Sequence, residues 1–410
     1  MARLLILGDA VPNNISDGLH LRVQHLCAEL GRRHECFFVG PRADECDEKD
    51  EYGLFEGMFY LEPLPRRGRS LRRHIRLSDE HFLRKSFPEY FAYVNAELNR
   101  VVSDYQIDAL LAFAPTLSAV GAHVNVPRVL DYADSDSLTI QRKINNRGQA
   151  MSLSDRSRAR LQLVRQTGRE RGLVGSYNLT TTISNADRLA LLQSSGVSED
   201  RVVIVPNGVS EEALAAGQDR MSHKRTLVFW GNLDFPPNWT AVRYFYDEVY
   251  LPYLADKGIV WNIVGRGGSE PLKTALRHPN VRFHGFIPDL FEFAASQGVM
   301  VNPMVEGSGL KNKVLEALAI GLPIASTSLG VEAITGGEPG KHYLVSDSPA
   351  NFASQVIQLL DDEKLRGRLI ASGRSLVEEC YTWRTVGYDY SRHIDQVIDG
   401  DGYRLLRGTA

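Results

Sequence analysis

Near the carboxyl-terminal third of the chain, Glu306, Lys311, Lys313 and Glu316 lie in one short stretch, separated at its start by the small residues Gly307, Ser308 and Gly309. A turn of small residues leaves backbone N–H groups accessible. The first N–H groups of a helix also lack intrahelical partners, so cations beside such a junction suit an anion such as a phosphate. A carboxylate about one turn into the helix is costly to bury alone, and the adjacent hydroxyls of a ribose would satisfy it. The ordinary alternative is surface charge on a solvated helix, and one short motif does not separate the two.

The elements that must position these groups are legible around them. The apolar run 298–301 reads as a buried strand. Leu310, Val314, Leu315 and Leu318 then recur at helical spacing, and Gly321, Leu322 and Pro323 stop the helix before a further strand at 324–326. The turn is therefore a strand-to-helix junction. The same alternation runs through the first half, with strands at 4–7, 36–39, 109–113, 128–131, 179–183 and 202–205 and a helix at about 19–32. After Val205 the chain turns polar and irregular to about Arg225, which marks a domain boundary. A second series follows at 226–231, 260–264, 281–284, 299–301, 324–326 and 343–345. The predicted class is α/β, two doubly wound Rossmann-like domains, with ligands at the carboxyl ends of the strands and a cleft between the halves.

With 410 residues the chain exceeds the roughly 250–300 at which one core stops growing. A formal net charge of −3 argues against a dedicated nucleic-acid binder. Cys27, Cys36, Cys46 and Cys380 show no CxxC spacing, which points to reduced thiols and a cytoplasmic setting. The amino-terminal apolar run is too short for a signal-peptide core, and no stretch approaches the roughly 20 apolar residues of a membrane span. Two segments are strongly basic, one between Arg66 and Lys85 and one between Arg142 and Arg171. They read either as solvated helix faces or as a surface for an anionic acceptor or an anionic inner leaflet, which would place the protein peripherally on a membrane.

The 306–326 stretch is similar to the nucleotide-sugar site of family 4 glycosyltransferases, and further segments resemble the subset found in bacterial polysaccharide assembly. They are Ser16-Asp17-Gly18-Leu19-His20-Leu21-Arg22, the run 130–137 with Asp131, Asp134 and Asp136, Val205-Pro206-Asn207-Gly208-Val209, and the run 231–238 from Gly231 to Asn238. The resemblance implies a retaining sugar transferase of the GT-B fold. It implies an acceptor-binding domain at 1–207, a nucleotide-sugar domain at 226–380, and a helix at 382–399 that packs back on the first domain. Its substrates would be a nucleotide-diphosphate sugar and a saccharide or lipid-linked acceptor. No cofactor is expected.

Charge develops on the leaving diphosphate, so preorganised donors there lower the barrier most. The candidates are the N–H groups of Gly309 and Leu310, Lys311, Lys313 and Arg266, and the resemblance favours Lys313 over Lys311. It also assigns Glu316 to the ribose and the loop holding Gly330 and Val331 to the second phosphate or the sugar. In the first domain, Gly18 permits close backbone approach and Arg22 is a phosphate candidate. His20 is a candidate acceptor-side group, and Asp134 and Asp136 are acceptor-hydroxyl or helix-capping candidates. The Asp134-Ser135-Asp136 pattern resembles a metal-binding pair of another glycosyltransferase fold, so no metal is expected here.

Two departures from the family pattern matter. The turn Glu306-Gly307-Ser308-Gly309 stands two residues further from Glu316 than usual, which puts Ser308 at the customary offset and leaves the sugar to Glu306 or to backbone amides. Asn232 and the Pro236-Pro237-Asn238 turn replace an expected arginine and lysine. A nucleotide-sugar epimerase of the same architecture and a non-catalytic nucleotide-sugar-binding protein are the rival readings. A nicotinamide oxidoreductase is disfavoured because neither glycine-bearing loop is a G-x-G-x-x-G fingerprint.

Overall fold

The computed structural model describes residues 1–12, 18–42, 50–65, 79–113, 116–147, 151–216, 224–268 and 274–400. Ser16, Asp17, Cys46 and the basic residues from Arg66 to Arg76 lie outside them. The chain divides into two compact units, residues 1–206 with 386–410 and residues 207–385.

The first unit is built on seven strands: β1 (Arg3–Leu7), β2 (Glu35–Pro41), β3 (Gly57–Leu61), β4 (Ala109–Ala112), β5 (Arg128–Ala133), β6 (Leu179–Thr182) and β7 (Val202–Ile204). Their order is β3-β2-β1-β4-β5-β6-β7, all parallel. Leu4 to Leu7 and Ala109 to Ala112 are fully buried, as helix-covered parallel strands must be. β3 escapes the sequence reading although Met58 to Leu61 form a short apolar run; it is the edge strand of the sheet and is half-buried for most of its length. The order reverses between β1 and β4, the switch point at which such sheets bind ligands.

The last helix, Trp383–Ile398, enters the first unit from Val386 onward. His34 Nε2 lies 2.7 Å from Ser391 Oγ. A Cβ at Gly387 would stand 2.2 Å from the Cβ of Glu29, so only glycine allows that approach.

The second unit has six parallel strands, β8 (Thr226–Trp230), β9 (Val260–Val264), β10 (Val281–Phe283), β11 (Val299–Asn302), β12 (Ile324–Ser326) and β13 (Leu344–Val345), in the order β10-β9-β8-β11-β12-β13. Phe229, Phe245, Trp261, Val299 and Phe352 belong to one buried cluster beneath them. Here the order reverses between β8 and β11. Trp230 ends β8 and the 306–311 turn follows β11, so both approach this second switch point.

Candidate active site

In the second unit, the chain leaving β11 passes through Gly307 and Gly309, at φ 105° and 69°, values that disfavour any side chain. It then enters the helix Asn312–Ala319, whose amino terminus has no side-chain cap. Its first N–H groups thus point out of the helix with their partial positive charge.

Lys313 and Glu316 stand on this helix one turn apart. The Lys313 ammonium donates to Asn238 Oδ1 at 2.6 Å and lies 4.2 Å from the centre of the Phe229 ring. Burial, then repulsion from Lys311, lowers its pKa to about 7 despite the opposing pull of Glu316. Glu316 Oε2 accepts the Trp230 indole N–H at 2.8 Å. Burial raises the Glu316 pKa, while the Trp230 bond and Lys313 oppose the rise. A lysine able to gain a proton and a carboxylate reluctant to lose one therefore share one apolar corner.

Asn238 owes its place to the β8 side of the switch. It belongs to the helix Pro236–Tyr244, and its Nδ2 donates to Asn232 O at 2.9 Å. The loops beside it press together without side chains. A Cβ at Gly265 would stand 1.9 Å from Gly231 O, and one at Gly231 would stand 3.1 Å from the Lys313 ammonium. Next to them opens a cavity of 580 Å³, lined among others by Trp230, Gly231, Gly265, Phe286, Ile287 and Phe291. Its walls are mostly aromatic and aliphatic, with glycine backbone at the strand ends, a lining that suits a flat ring.

The remaining expected residues take varied places. Lys311 Nζ donates to the carbonyls of Ser308 at 2.5 Å and Gly309 at 2.8 Å, so it pins the turn from within. These two bonds give its ammonium a structural role in shaping the turn, beside its expected role as a phosphate ligand. Leu310 is buried. Glu306 Oε2 lies 3.5 Å from Thr240 Oγ1, at the outer limit of a hydrogen bond. Arg266 is exposed, and its guanidinium lies 4.7 Å from the centre of the Phe286 ring at the cavity wall. Gly330 and Val331 are buried, and Thr327 Oγ1 caps their short helix by accepting the Gly330 N–H at 3.2 Å.

In the first unit, Arg22 is corrected. Its guanidinium is 1% exposed and makes a forked ion pair with Asp131, at 3.0 and 2.8 Å, and donates to Pro206 O at 3.0 Å. Thr181 also donates to Asp131 at 2.8 Å. This is an internal strut joining the first helix to β5, and a phosphate cannot reach a guanidinium closed in this way. A Cβ at Gly18 would meet nothing within 4 Å among the described residues. His20 lies within electrostatic reach of Asp9.

Asp134 and Asp136 are both exposed, in the loop that opens the helix Asp136–Arg147. That loop is held from below by Glu170, which is fully buried. Its carboxylate accepts the Ser137 N–H at 2.9 Å, the Ser137 hydroxyl at 2.5 Å and the Ser135 hydroxyl at 3.1 Å, while Asp187 accepts the Ser135 N–H at 2.9 Å. Sequence reasoning missed Trp230, Phe286 and Ile287. Trp230 carried a signal, since it ends an apolar strand at the position from which side chains enter the site.

Residues 224–362 match the family model described as glycosyl transferases group 1. The chain is 26% identical over 173 residues to an uncharacterized 44.6 kDa protein in the cps region of Klebsiella pneumoniae, a match that spans 40% of this chain and 44% of that protein's length. Two solved structures share the fold over nearly the whole chain. Sucrose-phosphate synthase from Thermosynechococcus elongatus has a TM-score of 0.68 at 15% identity, covering 98% of this chain and all of that one. Anabaena Alr3699/HepE in complex with UDP has a TM-score of 0.65 at 14% identity, covering 97% and all of each respectively. The fold is that of the GT-B glycosyltransferases. Among the described residues, no helix is long and apolar enough to cross a membrane.

Proposed function

We propose that the protein transfers a hexose from a nucleotide-diphosphate sugar to a hydroxyl of a saccharide or lipid-linked acceptor in polysaccharide assembly, with retention at the anomeric carbon. The observation that carries this reading is the pairing of Lys313 with Asn238 and of Glu316 with Trp230, beside the aromatic cavity at the β8–β11 switch. The cavity accepts the base, Glu316 accepts the ribose hydroxyls, and Lys313 with the uncapped helix terminus balances the diphosphate. Arg266, exposed and lying over the Phe286 ring, is a second cation available to the phosphates. As the bond from the anomeric carbon to the phosphate oxygen breaks, the acceptor oxygen bonds that carbon from the same face. The acceptor's proton passes to the departing phosphate oxygen, and the charge left on the diphosphate is met by donors already in place. Crystals of Anabaena Alr3699/HepE with UDP and with UDP-glucose support uridine as the base.

The test is a thermal-shift series with UDP, GDP, ADP, dTDP, CMP and their sugars, followed by product analysis with the sugar that binds. A ligand that binds only the folded state raises the melting temperature. One nucleotide should do so in the parent chain, and Glu316→Gln should weaken the shift by removing the carboxylate charge that holds the ribose. Equal shifts in both proteins would remove Glu316 from the site. Free nucleotide formed with no glycosylated product would overturn transfer itself.

A further inference from the structure

The helix Leu153–Ser176 turns its buried side, with Ala159, Gln166, Glu170, Leu173 and Val174, into the first unit. Its opposite side is unusual. Leu153 is 83% exposed, Leu161 50% and Val164 66%. At about 100° per residue these three fall within about 80° of arc, and they extend about 16 Å along the helix. Arg160 edges one side of this aliphatic ridge, and Arg158 and Arg165 edge the other. Arg158 and Arg160 are exposed and Arg165 is half-buried. The helix's two carboxylates, Asp155 and Glu170, lie on the other side of the cylinder.

We infer that this face docks the protein on an anionic lipid surface. The ridge is convex, so it offers no groove for a peptide. Its aliphatic side chains can enter the boundary between headgroups and acyl chains while the flanking guanidinium groups meet phosphates. A groove of 910 Å³ adjoins the Arg158 side; Lys143, Arg158 and Arg169 line it together with the carboxylates Asp136 and Asp155, so the anionic surface is met by the ridge and its flanking arginines. The charge complementarity favours an anionic bilayer over a second copy of the chain, because apposing this face to itself would bring like charges together. The inference is independent of the proposed reaction.

The experiment is co-sedimentation of the full chain with vesicles of phosphatidylcholine alone and of phosphatidylcholine with phosphatidylglycerol. Binding is expected only to the second, and high salt should release it. Arg158→Glu and Arg160→Glu should each weaken it about fivefold or more, since each basic residue near such a surface contributes on that scale. Leu161→Ser with Val164→Ser should weaken it as well, with circular dichroism unchanged. Equal binding to both vesicles, no binding to either, or full binding by these variants would overturn the inference. So would a dimer that Leu161→Ser dissociates, which would make the ridge a contact between copies.

Discussion

Lys313 provides the most exacting test of the site. Its ammonium has a pKa of about 7 against an ordinary 10.5, with burial as the leading cause. The sign follows from proton counting. At a pH between those two values the unfolded chain holds a proton that the folded chain has released, so this residue's contribution to stability grows as pH rises from about 7 and is lost as pH falls. A bound diphosphate reverses the balance. Two negative phosphates beside the ammonium favour its charged form, so binding takes up a proton whenever the free protein has lost it. At about pH 8 only about one Lys313 in ten is charged, and affinity should therefore fall about tenfold per unit above about pH 7. The assay is calorimetry with a nucleotide-diphosphate sugar, whose phosphates do not titrate in this range, in two buffers of different ionisation enthalpy. Nearly one proton should be taken up per ligand at about pH 8.5. Lys313→Met should weaken binding about tenfold to a hundredfold at neutral pH, as expected for a lost charged hydrogen bond, and should abolish both the slope and the proton uptake. A flat profile in the parent chain, or the same slope in Lys313→Met, would refute the assignment of the diphosphate to this lysine.

Three further outcomes follow from the geometry. Arg22→Leu leaves Asp131 buried without its partner and should destabilise the fold by about 3–5 kcal/mol in denaturant unfolding, whereas a phosphate ligand would cost binding and little stability. Gly265→Ala forces a methyl group into the Gly231 carbonyl, and it should lower the melting temperature and weaken nucleotide binding together, since the same backbone lines the cavity. Glu170→Gln keeps the shape but can accept with only one oxygen, so it should loosen the Asp134–Ser137 loop. Faster amide exchange at Ser135 and Ser137 is the readout, and unchanged protection would show that Asp187 alone holds the loop.

The residues themselves determined a good deal. The apolar runs at 4–7 and 298–301 read as strands buried on both faces, and small residues followed by Leu310, Val314 and Leu318 read as a turn entering a helix. Both doubly wound sheets and the junction bearing Lys313 and Glu316 follow from those patterns, because a continuous apolar run in a strand covered on both faces and an apolar residue at every third or fourth position in a helix are local requirements. Partners are not local. Nothing in the spacing says that Arg22 meets Asp131, more than a hundred residues away, or that Lys311 turns back on its own loop while Lys313 reaches Asn238. Glu170 and Trp230 likewise gain their meaning only when the chain brings the Asp134–Ser137 loop over one and the helix of Glu316 beside the other. A charge in the sequence is a cost awaiting a partner, and only tertiary packing decides whether that partner is the protein or a ligand.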